Sequence, residues 1–309
     1  MTIIFMGTPE FSVPSARTVH EEYGIDLVVT QPSKKKGRSG KIVDPPMKTF
    51  ADSHNIPVLQ PKRLHAVMDE IIAMNPDLII TAAYGQILPK RLLEIPSFGA
   101  INVHASLLPK LRGGAPIQRA IERGHEYTGI TIMYMAEKMD AGDIIATKRL
   151  QIEKDDTGGS LFEKLAHLGS DLLEDVLPSI FNNEVKATPQ DESEATYAYN
   201  IKPEEEKLDF ETTASANERK VRAFHPEPST YLTVDGERVK VLKAEVVESD
   251  GETPGRVVDH RKEGIVIQCK DDGLLLKEVQ PSGRKAMDGA SFLNGKGKTL
   301  LPIGKKIDD

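Results

Sequence analysis

Up to residue 181 the chain alternates short apolar runs with amphipathic stretches, and nothing else in it constrains the fold as strongly. Ile-Ile-Phe-Met at 3–6 and the run at 77–83 are apolar over consecutive positions, which in an extended chain puts apolar groups on both faces. A sheet with one wet face alternates instead. Strands of this kind therefore predict an α/β fold, a mostly parallel sheet with helices on both faces. Strands are also expected at 27–29, 101–103 and 130–135, with helices at 13–22, 47–54, 68–74, 116–123 and 160–181. Met-Gly-Thr-Pro-Glu-Phe at 6–11 matches neither G-x-G-x-x-G nor a Walker loop, and Pro9 removes a backbone donor. A nicotinamide-binding protein is not expected.

The pattern then changes. Residues 189–206 hold six acids, one lysine and two prolines with little periodicity, which suits a linker on the surface. After a short helix at 214–223 come runs at 231–234, 239–247, 255–259, 265–269 and 274–279, separated by Asp-Gly and similar turns. Five short strands so spaced fit a small C-terminal all-β Greek-key barrel, OB-like in type. With 309 residues the chain is comfortable for two domains, placed at 1–188 and 207–309 with 189–206 between them.

No apolar run approaches the ~20 residues of a membrane span. The opening Thr-Ile-Ile-Phe-Met is too short for a secretory signal, so a cytoplasmic protein that does not contact membrane is expected. Cys269 is the single cysteine, which excludes an internal disulfide, and the eight histidines show no metal-ligand spacing. No metal is expected. The net charge of −7 argues against coating a nucleic acid, yet it is unevenly spread. Residues 207–309 carry 18 basic and 18 acidic groups, and 284–306 has six cations against Asp288 alone. A second cluster, Lys34-Lys35-Lys36-Gly37-Arg38-Ser39-Gly40-Lys41, contains no acid. It lies in the stretch 30–46, which lacks periodicity, is long for a structural connection and is expected to be a mobile loop. Such placement suits a polyanion held at defined points.

The chemistry concentrates at 102–116, Asn-Val-His-Ala-Ser-Leu-Leu-Pro-Lys-Leu-Arg-Gly-Gly-Ala-Pro. Asn102 and His104 sit two apart at the end of an apolar run, so both project from one face of a strand end, where α/β sheets bind ligands. Asp140 follows the run 130–135. An amide, an imidazole and a carboxylate from two strand ends can make an acid/base site with an oxyanion donor. The bland alternative is two turn residues and a capping aspartate.

This stretch, together with Met-Asp-Ala-Gly-Asp-Ile-Ile at 139–145, resembles the folate-dependent formyltransferases, and within them the members that act on methionyl-tRNA. Ile-Ile-Phe-Met-Gly-Thr-Pro-Glu-Phe at 3–11, Ala-Ala-Tyr-Gly-Gln-Ile-Leu-Pro-Lys at 82–90 and Arg-Ala-Phe-His-Pro-Glu-Pro at 222–228 extend the likeness over nearly the whole chain. The resemblance implies a formyltransferase, Rossmann-like catalytic domain, with 10-formyltetrahydrofolate as co-substrate and the initiator methionyl-tRNA as acceptor, in a monomer. It implies catalytic roles for Asn102, His104 and Asp140. Ser106, Leu107, Leu108 and Pro109 look like the family's folate-contacting loop, in which the leucines flank a flat ring. Lys35, Lys36, Arg38 and Lys41 look like its tRNA-contacting insertion, with Arg38 as the central arginine. Gly114 stands where the family motif usually has alanine, and Arg112 just before it supplies a guanidinium. The competing expectations are a formyltransferase for a small amine (glycinamide ribonucleotide or a nucleotide-linked amino sugar), a 10-formyltetrahydrofolate hydrolase, and a non-catalytic RNA-binding protein.

Overall fold

The computed structural model describes residues 1–36 and 40–308. The chain divides into two compact units, each built around its own sheet.

The first unit takes in 1–116, 127–151 and 162–199. In chain order its elements begin with β1 (Ile3–Gly7), α1 (Ser12–Tyr23), β2 (Leu27–Val29), β3 (Lys34–Lys36), β4 (Lys41–Val43), α2 (Pro46–Ser53) and β5 (Val58–Leu59). Then follow α3 (Met68–Ala73), β6 (Leu78–Ala82), α4 (Lys90–Leu93), β7 (Ala100–His104), β8 (Tyr127–Tyr134), β9 (Ile144–Gln151) and, from residue 162 on, α6 (Gly158–Phe181), while α5 (Pro116–Glu122) falls after its first residue in the second unit. The seven-stranded sheet runs β5-β2-β1-β6-β7-β8-β9. It is parallel from β5 to β7 and antiparallel at β8 and β9. Every residue of β1 and β6 is buried, as their unbroken apolar runs require.

Alternate residues serve opposite faces. Ile4, Met6, Leu27, Val29 and Ile79 pack with Ile71 and Leu92, from α3 and α4. On β7, Val103 and Ile130 of β8 come against Gly169 of α6, where an added Cβ would lie 2.9 Å from Val103. Asn102 and His104 therefore share the face of Ala100, which belongs to the α3/α4 side. The chain order reverses at β1, with β2 and β5 on one flank and β6 and β7 on the other, so the strand ends open beside the switch point.

Two elements depart from expectation. Where a loop was expected, the described residues on either side of 37–39 include two strands, β3 and β4, that pair antiparallel, Lys34 with Val43, Lys35 with Ile42 and Lys36 with Lys41. Ser33 Oγ donates to the Asp44 carboxylate, and Gln60 Nε2 donates to Gln31 O (3.0 Å) and Ser33 Oγ (3.3 Å), clamping the hairpin base. Three consecutive lysines carry no apolar alternation, so periodicity had nothing to detect. The edge strand β9 was also unexpected. It buries little, and its register comes from pairing with β8 rather than from an apolar face.

The second unit takes in 117–126, 152–161 and residues from 200 onward. Helix α7 (Ala214–Ala223) is followed by β10 (Thr230–Val234), β11 (Glu237–Val247), β12 (Val257–Arg261), β13 (Gly264–Gln268), β14 (Gly273–Pro281) and β15 (Met287–Asp288). The antiparallel sheet runs β10-β11-β14-β13-β12, with β15 on β14 and a register shift in β11 after Val241. Thr230, Leu232 and Val234 are buried while Tyr231 and Thr233 are half-buried, the period-2 signal that made these strands legible. Thr213 caps α7 by accepting from Ala216 N, and Val221 enters the core.

Cys269 lies in that core, and burial pushes its thiol up to about 12. A thiolate-selective maleimide is expected to leave the native protein unlabelled at neutral pH and to label one site after denaturation. Fast labelling of the native chain would contradict this placement.

Candidate active site

Two strand ends, of β6 and β7, bring Thr81, Asn102 and His104 together. Asn102 pairs with Thr81 across β6 and β7, and His104 faces Thr131 on β8. Thr81 Oγ donates to the Asn102 side-chain oxygen at 2.8 Å. That bond fixes the amide's orientation and leaves its nitrogen as a donor for something else. Sequence reasoning missed Thr81. The signal was there, because it is the one polar residue in the buried strand Leu-Ile-Ile-Thr-Ala, and a hydroxyl 3% exposed must find a partner.

His104 is 6% exposed and both ring nitrogens face acceptors. Nε2 lies 3.1 Å from Leu111 O, and a carbonyl only accepts, so Nε2 carries a proton. Nδ1 lies 3.7 Å from Asp140 Oδ2. Asp140 Oδ2 also accepts from Gly113 N at 2.8 Å, so the oxygen that faces the imidazole is held by the backbone. Asp140 (φ 49°) and Leu111 (φ 59°) both adopt left-handed backbone. Aspartate tolerates this region, whereas leucine there costs about 1–2 kcal/mol. Strained backbone of this kind persists only where the surroundings over-determine it.

The surroundings are the segment expected as a linker. Arg112 N donates to Thr196 O (2.9 Å), Ala198 N to Arg112 O (2.7 Å), Ala115 N to Ala198 O (3.0 Å) and Leu111 N to Thr196 Oγ1 (2.9 Å). Residues 196–198 thus pair with the loop that carries the His104 and Asp140 contacts, instead of lying loose on the surface. The Arg112 guanidinium is not offered to a ligand. Fully buried, it donates through Nε and Nη2 to Gln190 Oε1 (3.1 and 2.8 Å) and through Nη2 to Glu192 (2.8 Å). The hydrogen bond from Arg112, with a second from Lys138, holds the Glu192 carboxyl down at about 2.

The loop Ser106–Pro109 sits against β8. Ser106 is fully buried and its hydroxyl donates to Lys110 O at 2.6 Å. Thr131 Oγ1 donates to Ser106 O (2.7 Å) and accepts from Leu108 N (3.1 Å). Leu108 is buried, whereas Leu107 and Pro109 are partly accessible, with Leu107 lying over Gly129, where a Cβ would come within 2.6 Å of it. Of the four, Leu107 and Pro109 are the ones that present surface.

On the hairpin, Lys35 and Lys41 are exposed beside Ile42, itself 65% exposed. Arg38 lies outside the described residues. In the C-terminal basic cluster Lys296 pairs with Glu237 and Lys305 with Asp235, so its positive field is partly cancelled. Among the described residues no group of His, Cys, Asp and Glu has the arrangement of a metal site. No described helix is long and apolar enough to cross a membrane.

A mostly parallel sheet with an amide and a histidine–carboxylate pair at its strand ends, followed in the chain by an antiparallel β-unit, is an arrangement suited to group transfer. The chain is a member of the formyltransferase family: residues 1–177 match the formyl transferase model and 200–297 the model of the formyl transferase C-terminal domain. It is 45% identical over 309 residues to the methionyl-tRNA formyltransferase of Macrococcus caseolyticus, covering 99% of each chain. It is 48% identical to that of Bacillus pumilus, covering 99% of this chain and 97% of the relative. In fold it is similar to the N-formyltransferase of Helicobacter canadensis solved with folinic acid and dTDP-3-aminofucose (TM-score 0.69, 16% identity, 91% and 99% coverage). It is similar also to the sugar 3N-formyltransferase WlaRD, solved with dTDP and 5-N-formyl-THF (TM-score 0.67, 19% identity, 92% and 99% coverage).

Proposed function

We propose that this chain transfers the formyl group of 10-formyltetrahydrofolate to the amino group of initiator methionyl-tRNA, in the cytoplasm, for the start of translation. The observation that carries this is its likeness, over 99% of its length, to relatives named for that reaction.

The site's own groups supply a workable route. The amine attacks the formyl carbon and charge builds on the formyl oxygen. The Asn102 amide nitrogen, freed by Thr81, donates to that oxygen. A donor so placed is worth about 3–4 kcal/mol of barrier. As the C–N bond to the new amide forms, the bond to the folate nitrogen breaks. His104 takes the proton from the amine and delivers it to the leaving nitrogen, and Asp140 stabilises the charged ring between those events. No covalent enzyme intermediate is needed, because a neutral amine is already a competent nucleophile. Leu107 and Pro109 offer the apolar surface for the pterin ring, with Ser106 and Leu108 supporting them from below.

In this proposal the α/β part does the chemistry, the β-unit from 207 and the hairpin hold the RNA, and the chain works as a monomer without a metal. Exposed Lys35 and Lys41, with Lys36 and Arg38 in the same turn of sequence, would meet phosphates. Neutralising Lys35, Lys36 and Arg38 is expected to weaken RNA binding and reduce the slope of log affinity against log salt by about two to three. Folate binding stays unchanged, and an unaltered slope moves the RNA contact elsewhere. The decisive assay runs formyl transfer from 10-formyltetrahydrofolate in parallel with methionyl-tRNA, glycinamide ribonucleotide or water. Label on methionyl-tRNA supports the proposal. Transfer only to the small amine, or free formate, would replace it.

A further inference from the structure

We propose that Gln190 is a positioning residue for the reaction, holding the turn that carries Asp140; this rests on the assignment of His104 and Asp140 to the reacting centre. Every polar atom of its side chain is committed. Nε2 donates to Asp140 O (2.9 Å) and to Gly142 O (2.7 Å). Oε1 accepts both Nε and Nη2 of Arg112 (3.1 and 2.8 Å). The amide therefore cannot flip without placing its oxygen against two carbonyls and its hydrogens against a guanidinium. Arg112 is itself fully buried and bound to Glu192, which also pairs with Lys138.

The consequence reaches His104 along two lines. Gln190 clamps the backbone on either side of Ala141, and so fixes a left-handed Asp140 whose Oδ2 stands 3.7 Å from Nδ1. Arg112, oriented by Gln190, precedes Gly113, whose N–H holds the same oxygen, and follows Leu111, whose carbonyl holds Nε2. The segment is anchored just upstream, where Thr188 and Ile144 exchange two backbone hydrogen bonds of 2.8 Å. A half-buried glutamine in a stretch without secondary structure would otherwise be an unremarkable surface group.

The test compares Gln190→Ala and Gln190→Glu with the parent and with Glu194→Ala, an exposed change on the same segment. Gln190→Ala is expected to lower kcat about 10–100-fold, as lost support of a catalytic group does, with KM for donor and acceptor within about twofold of the parent. Gln190→Glu keeps the Arg112 contact but sets a second acceptor against the two carbonyls, so it should lose at least as much. Glu194→Ala keeps the parent rate. Because one of the two lines runs through Asp140, Gln190→Ala made on an Asp140→Asn background should cost clearly less than it does in the parent. Additive losses would show a general structural role and overturn the proposal. So would parent-like kcat in Gln190→Ala while His104→Ala and Asp140→Asn are both slowed, an outcome that leaves the site itself standing. An Asp140→Asn enzyme with the parent kcat would remove the site assignment and the proposal together.

Discussion

Replacement of His104 by alanine is expected to slow formyl transfer by about 10²–10⁴-fold, the usual worth of a positioned acid/base group. The size follows from the site's economy of parts. The two nitrogens of His104 are held by Leu111 O and Asp140, and the ring is the group placed to move a proton between amine and folate nitrogen. Donor binding should survive, since Leu107 and Pro109 are untouched. Asp140→Asn should lose less than His104→Ala, because an amide oxygen still accepts from Gly113 N while the negative charge facing Nδ1 is gone. Single-turnover rates with saturating methionyl-tRNA measure both. A His104→Ala enzyme keeping more than about a tenth of the parent rate would take the ring out of the chemistry.

Gly142→Ala should damage both fold and rate. An added Cβ would stand 1.9 Å from Tyr134 O and 2.8 Å from its carbon, both backbone atoms that cannot swing aside. The turn must move, and with it go the Gln190 bond to Gly142 O and the position of Asp140 two residues earlier. Overpacking of this kind costs about 1–3 kcal/mol, and a displacement near 1 Å of a catalytic group costs about 100-fold in rate. Gly236→Ala is the comparison. With φ +72° and nothing within 4 Å, it should lose only about 1–2 kcal/mol of backbone preference and keep its activity. Thermal melts and kcat on the two variants separate strain from collision. A Gly142→Ala protein with parent-like melting and rate would show that the turn relaxes freely.

The parts of this molecule that sequence made legible are those where one face decides everything. Ile3–Gly7 and Leu78–Ala82 are buried at every position, and Thr230–Val234 alternates, so their patterns admit few folds. Asn102 and His104 were legible because a period of two is enough to put them on one face. The hairpin was not, because three lysines in a row carry no period and its stability comes from Gln60 and Ser33 at its base. The pairing of Gln190 with Arg112 was not legible for a different reason. Composition marks 189–206 as acidic and irregular, and composition cannot report that one glutamine meets an arginine 78 residues away. Long-range hydrogen bonds leave no local trace.

A portable module cut from this chain has to end later than the sheet does. A fragment stopped where α6 ends at Phe181 would keep all seven strands, and would still present Asn102 and His104 at their ends. It would lack Gln190, Glu192 and the Thr196–Ala198 backbone, and so leave a buried arginine with no acceptor and a strained leucine with no tether. Grafting this chemistry onto another RNA- or sugar-binding partner therefore means carrying residues to Tyr199, the seam at which the first unit closes.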